Sequence, residues 1–216
     1  MKKIPLILFL LLFYASISFG QEKIQITIPD SNDKYSEFVR QLEAGETNID
    51  FLEFRESFLA SEQFKKSHNQ SKFFDSLEQV MYVRMDEKDY QGVIATTIEM
   101  LSIDYTSMLA HKILRQTYEI LDQPEKAEQY KSIQFGLLKS IVQNGDGKSC
   151  ETAWPVIQIE EEYFILDMLE AELIEQSFET TNGLCDKMVV KVEGQTETYY
   201  FDVKRIFAAK KVIGEK

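Results

Sequence analysis

Cysteine is nearly missing from this 216-residue chain, which has only Cys150 and Cys185. None stands near the N-terminus, so a lipid anchor on a cysteine behind a leader is excluded. Without a CxxC pair, a thiolate zinc site has no framework. Histidine is equally scarce, at His68 and His111, with no HExxH and no i, i+4 pair, so no histidine metal site is expected. There is no Gly-x-Ser-x-Gly elbow, and a serine or cysteine nucleophile would have to rely on one of those two histidines. Positive charge is also short: 24 Lys and Arg stand against 36 Asp and Glu, a net charge of −12. Phosphate neutralisation needs concentrated Lys and Arg, so nucleic acid and anionic membrane surfaces are not expected partners. An acidic surface of this kind serves solubility.

Long apolar runs are missing apart from one at the start. Lys2 and Lys3 precede the apolar Ile4–Tyr14, followed by the small-residue stretch 15–20 containing Ser18 and Gly20. This is the pattern of a signal peptide, cleaved before Gln21. The run is shorter than the ~20 residues that span a bilayer, so no transmembrane segment is expected after cleavage. The chain is predicted to be exported, either periplasmic or secreted. Residues 21–216 suffice for one large domain or two small ones. In an oxidising compartment Cys150 and Cys185 can pair, which the chain-entropy model values at ~3–4 kcal/mol, or stay as two separate thiols. Spacing does not decide between these.

Residues 21–143 read as helical. Ser31-Asn-Asp offers a cap for Tyr35, Phe38, Val39 and Leu42, a helical face closed by Gly45. Asn48 or Asp50 caps a second helix carrying Phe51, Leu52, Phe54, Phe58 and Leu59. Residues 61–72 read as a polar connection, and a third helix follows with Phe73, Leu77, Val80, Met81 and Val83. A weak repeat with an offset of 34 then aligns Val93 with Ala127 and Leu101 with Phe135. Thirty-four residues is the period of tetratricopeptide repeats, and Leu114…Tyr118…Leu121-Asp-Gln-Pro-Glu-Lys-Ala127 resembles that repeat. It departs at Arg115, and the first copy has Arg84 at the tyrosine position. Two copies are fewer than the ~3 that support an array, so other elements must cover its end. If the resemblance holds, Glu78, Tyr82, Lys112, Gln116 and Glu119 line a partner-binding groove.

Residues 144–216 change period from 3.6 to 2. Val156–Ile159 is expected as a strand opened by Pro155, 163–169 as strand or short helix, and Leu173–Phe178 as a strand. Met188–Val192 and Thr198–Val203 flank Glu193-Gly-Gln195 as a hairpin with one apolar face. Lys204-Arg-Ile-Phe-Ala-Ala-Lys-Lys reads as a basic, solvated tail. The expected class is α+β: tetratricopeptide-like helical hairpins followed by a small antiparallel sheet packed on them.

Gly145-Asp-Gly-Lys-Ser149 invites a nucleotide. A phosphate loop, however, has a glycine where Val142 stands and a helix after the Ser; here strand-forming residues follow. Set on a calcium loop, the same segment puts Val142 and Ala153 at ligand positions, leaving at most a cruder site on Asn144 and Asp146. The expected role of Gly145, Asp146 and Gly147 is to end a helix and turn the chain. No cofactor is indicated. The carboxylates of Glu160-Glu-Glu162, Glu170, Glu172 and Glu175 read as a charged sheet rim or loop, and Tyr199, Tyr200 and Phe201 as cross-strand packing.

Three segments carry a family resemblance: Gly145–Ile157 with Glu161-Glu-Tyr-Phe-Ile-Leu166, Asp186–Val192 with Thr198–Val203, and Asn48-Ile-Asp-Phe-Leu-Glu-Phe-Arg55. They resemble an exported bacterial group, domain-of-unknown-function family 4919, over nearly all of residues 21–216. The resemblance implies membership and brings no activity, ligand or catalytic residue. The leading expectation is a non-enzymatic interaction or structural module with a protein partner. The alternatives are a small envelope hydrolase of glycans using paired carboxylates, and a small-ligand binding protein.

Overall fold

The computed structural model describes residues 25–213, so the leader assigned to residues 1–20 lies outside the described residues. The described elements run α1 (Lys34–Glu43), α2 (Phe51–Ala60), α3 (Glu62–Asn69), α4 (Ser71–Asp86), α5 (Tyr90–Ile103), α6 (Met108–Ile120), α7 (Pro124–Val142), β1 (Trp154–Pro155), α8 (Ile159–Met168), β2 (Glu172–Glu179), β3 (Cys185–Val192), β4 (Gln195–Asp202) and α9 (Lys204–Ile213). No helix among the described residues is long and apolar enough to cross a membrane.

Helices α1, α2, α3, α5 and α6 start where short polar side chains satisfy free backbone amides. Asp33 accepts from Ser36 N, Asp50 from Glu53 N, Asp89 from Gly92 N and Ser107 from Ala110 N. Residues 61–72 are not a connection. Ser61 caps α3, a surface helix whose Phe64 meets Phe58 edge-on and whose Gln63 donates to the carbonyls of Ser102 and Ile103 at the end of α5. Its polarity reflects exposure and says nothing against helix. In α4, Leu77 and Met81 are buried, whereas Phe73, Val80 and Val83 face outward.

The 34-residue repeat is present in the backbone. Lys88 and Asp122 both hold positive φ (59° and 54°) after α4 and α6. Asp89 N bonds Arg84 O while Lys88 N bonds Met85 O; Gln123 N bonds Tyr118 O while Asp122 N bonds Glu119 O. These are the same Schellman closures 34 positions apart. Arg84, at the position of Tyr118, donates instead to Gly92 O and Thr96 Oγ1 of α5. The array is covered by α1 and α2, which bury Tyr35, Phe38, Phe54 and Phe58 beside Tyr105, and α2 packs on α7.

The sheet has the order β1-β4-β3-β2 and is mixed, with β1 running parallel to β4 and the other pairs antiparallel. The strand expected at Val156–Ile159 lies earlier, at Trp154–Pro155. After Val156 N bonds Asp202 O, the chain leaves the ladder, and Ile157 N bonds the Glu161 carboxylate at the start of α8. Residues 163–169 therefore fall largely in a helix, whose first turn carries Glu160, Glu161 and Glu162. Ionised carboxylates such as Glu160 complement the helix dipole there, while Glu161 and Glu162 turn inward, so this run is a helix start rather than a sheet rim. Glu193 and Gly194, at φ 49° and 82°, form the two-residue turn between β3 and β4 that suits hairpin twist. Met188, Val190, Tyr199 and Phe201 are buried on one sheet face. The presumed basic tail is α9, with Ile206 and Ala209 buried and Arg205 paired to Glu56 of α2.

One buried ion pair joins helices to sheet. Arg55 of α2, fully buried, donates through Nε (2.9 Å) and Nη2 (2.6 Å) to the two carboxylate oxygens of Glu161, and through Nη2 to Pro155 O (3.1 Å). Its Nη1 reaches Ser140 Oγ of α7 (3.4 Å). Cys150 and Cys185 form a disulfide with Cα atoms 5.8 Å apart, tying the segment before β1 to the start of β3.

Candidate functional site

The five groove residues lie on α4 and α6, and the structure adds α8 beside them. Lys112, Gln116 and Glu119 follow helical spacing along one stripe of α6, as do Glu78 and Tyr82 on α4. α8 is tethered to the array at both ends. Gln158 Nε2 donates to Asp104 Oδ2 (2.9 Å) and Thr106 Oγ1 (2.8 Å) at the α5–α6 turn, and Lys112 Nζ pairs with Asp167 (2.6 Å) while lying over the Phe164 ring. Burial pushes Asp104 up to about 6, against the hydrogen bonds from Thr106 and Gln158. Burial, with Asp75 and Glu160 nearby, pushes the Glu78 carboxyl up, and burial with Glu78 and Asp167 does the same to the Tyr82 hydroxyl. Lys112 thus contacts α8 directly, and Glu78 and Tyr82 lie within electrostatic reach of its acids. Tyr82 stays 44% exposed. Gln116 is half-buried further along α6. Glu119 pairs with Arg115 and opens onto a shallow depression of about 270 Å³ at the α6–α7 turn, away from α8.

Sequence reasoning missed the two acidic contacts under α8. Beside Glu161 and its arginine stands Glu162, fully buried, facing Asp186 of β3, which is 3% exposed. Burial, then Asp186, pushes Glu162 up to about 9, and burial raises Asp186. Both oxygens of Glu162 and Oδ1 of Asp186 lack a donor when drawn as carboxylates. A proton retained on Glu162 supplies the donor that Asp186 accepts. Gln176 of β2 donates to Asp186 Oδ2, and Tyr163 Oη donates to Gln176 Oε1 (2.8 Å). Two carboxyl groups therefore do converge, inside the protein and not in a cleft. Among the described residues, no cluster of three or more His, Cys, Asp or Glu suits a metal ion. His111 is buried and neutral: burial lowers its pKa to about 4, and Nε2 bonds Tyr105 O (2.8 Å).

The signals for these contacts lay in the sequence without pointing at each other. Arg55 falls on the apolar face of α2, one residue from Phe54 and three from Phe58, and the acidic run begins a helix. Their pairing spans 106 positions.

The Gly145–Gly147 turn is built on its own backbone. Asp146 Oδ1 accepts from Lys148 N (3.0 Å) and Thr152 Oγ1 (2.5 Å), Gly147 takes φ 65°, Trp154 Nε1 donates to Gly145 O (3.0 Å), and Tyr200 N bonds Gly147 O (2.8 Å). Lys148 pairs with Glu197 and sits over Tyr199, so the Gly-Lys-Ser lysine serves the sheet surface. A Cβ on Gly145 would stand 2.2 Å from Thr152 O, the acceptor of Gly147 N. Gly145→Ala is expected to cost about 1–3 kcal/mol by overpacking. Lys148→Ala, which removes an exposed pair, should cost less than about 1 kcal/mol. Urea midpoints for the two variants check this contrast.

These features define an α+β protein in which helical hairpins and a small mixed sheet are joined through a helix bearing two buried acids. The chain belongs to the family described as Domain of unknown function (DUF4919), whose profile matches residues 22–211. No curated protein and no solved structure matches it.

Proposed function

We propose that this protein is an exported, non-enzymatic interaction module of the bacterial envelope. Its partner, another protein, engages the face shared by α4, α6 and α8. The observation that carries this reading is the half-exposed Tyr82, set among Glu78, Lys112 and Asp167 at the junction of three helices. An amphipathic aromatic ringed by charges of both signs is the residue type enriched at protein interfaces. Export is supported by the N-terminal Lys2, Lys3 and apolar run, and by the Cys150–Cys185 bridge, which persists in oxidising compartments. The burial of Glu162 and Asp186 argues against glycan hydrolysis by that pair, because paired-carboxylate chemistry needs the scissile bond between the two groups.

Capture from native envelope extract compares the wild-type protein with Tyr82→Ala/Gln116→Ala. The double variant is expected to lose specific partners while keeping its thermal midpoint; identical partner lists would sink the reading. Mass measurement of the protein from its native cell is expected to give a chain beginning at Gln21 with the two cysteines oxidised.

A further inference from the structure

A second surface lies at the β2 margin of the sheet. β2 ends the strand order, so one side of its backbone has no strand partner among the described residues, and its residues from Glu172 to Phe178 are all exposed. Eight residues make a long edge, and such a row of unpaired amides and carbonyls is a template for another strand. The two faces of this edge differ in chemistry. Phe178, 62% exposed and opposite Asp186 in the register, lies beside Phe207 of α9 with ring centres 6.0 Å apart. Phe207 is itself 41% exposed, so the two rings form an apolar step on the face that β3 buries. The opposite face carries Glu175 and Glu179, with Glu172 at the far end beyond the irregularity at Ile174. On that face β3 sets Lys191 opposite Glu172 and Lys187 opposite Ser177, a basic column inside an acidic one.

We propose that β2 accepts an extended segment of a partner protein in which apolar and basic residues alternate. The alternation follows from the period of two: alternate side chains of an added strand lie on the face of Leu173, Gln176 and Phe178, where one of them meets the Phe178–Phe207 step, and those between lie on the glutamate face. The acids continue the charge alternation that β3 begins, so the next column outward is basic. A second copy of this chain does not fit. Antiparallel pairing of two β2 strands about a twofold normal to the sheet keeps like faces together and sets acidic column against acidic column. The two surfaces touch where Tyr163 of α8 donates to Gln176 of β2, but the side chains that carry each, Glu175 and Phe178 here and Tyr82 there, are different, so either can fail without the other.

A fluorescein-labelled peptide of alternating Lys and Val, titrated into the disulfide-bonded protein, tests the assignment beside two controls, alternating Glu and Val and a block-scrambled Lys/Val sequence. The Lys/Val peptide is expected to bind at least about tenfold more tightly than either control. It should slow amide hydrogen exchange in 172–179. Glu175→Lys/Phe178→Ser, which alters only exposed side chains, should weaken binding by about tenfold or more with an unchanged thermal midpoint, and Tyr82→Ala should leave it unaffected. The proposal is overturned by equal binding of the scrambled peptide, by binding without protection of 172–179, by an unaffected double variant, or by light scattering that shows a dimer dispersed by that variant.

Discussion

Arg55→Ala is expected to lose about 3–5 kcal/mol of stability, the range for breaking a buried pair and leaving one charge uncompensated. The guanidinium meets Glu161, Pro155 O and Ser140 Oγ at once, so its removal strands the Glu161 carboxylate under α8 and frees the Pro155 carbonyl. Ile157 N keeps its bond to Glu161 Oε2, which is too little to compensate a buried charge. The loss falls on the joint between α2, α7, β1 and α8, so helical and sheet signals should melt together at a lower urea midpoint. Arg55→Met/Glu161→Met should recover part of the loss, since no charge is then left buried. Recovery stops short of wild type because Pro155 O and Ile157 N both lose a partner. A double variant no better than Arg55→Ala would mean that the pair is not the source of the effect.

Glu162→Gln is expected to stabilise the protein at neutral and alkaline pH. The folded chain holds the Glu162 proton up to about pH 9, whereas the unfolded chain releases it near the ordinary value of 4.5. Its contribution is therefore fully present below 4.5 and lost progressively as pH rises towards 9, because the unfolded state alone gains the benefit of ionisation. Glutamine keeps the shape, cannot ionise, and presents an N–H to Asp186 as the protonated acid does. The variant should match wild type near pH 4.5 and exceed it by about 4–5 kcal/mol at pH 8, about 1.4 kcal/mol for each pH unit above 4.5, the gap widening with pH. Taking the difference between the two proteins cancels other titrating groups such as Asp104 and His111. Urea melts at pH 4.5, 6, 7 and 8 read the gap directly. A constant gap, or one that narrows with pH, would show that Asp186 and Glu162 do not share a proton.

Local chemistry was readable wherever it acts over a few residues. Asp33 and Asp50 start helices, Gly45 ends one, and Glu193-Gly194 turns the hairpin because each satisfies or bends the nearby backbone. The repeat at 34 residues was legible because it is a matter of spacing, and the two turns repeat their hydrogen bonds at that offset. Two readings failed for one reason. Polar residues 61–72 and the acidic run 160–162 were judged by composition, yet a surface helix is polar and a helix start favours acids. The candidate groove was half legible: helical period aligned Lys112, Gln116 and Glu119, but it contained no hint that α8 would lie beside them.

Sequence alone determined the α+β class, the caps of α1 and α2, the hairpin turn, the 34-residue repeat and the family, since these depend on period, short-range hydrogen bonds and direct similarity. Tertiary structure alone decided that Arg55 meets Glu161, that Glu162 meets Asp186, that Cys150 bridges to Cys185, and that β2 is left at an open edge. Those contacts join residues far apart in the chain, and their partners are set by which surfaces the packed helices and sheet bring into register.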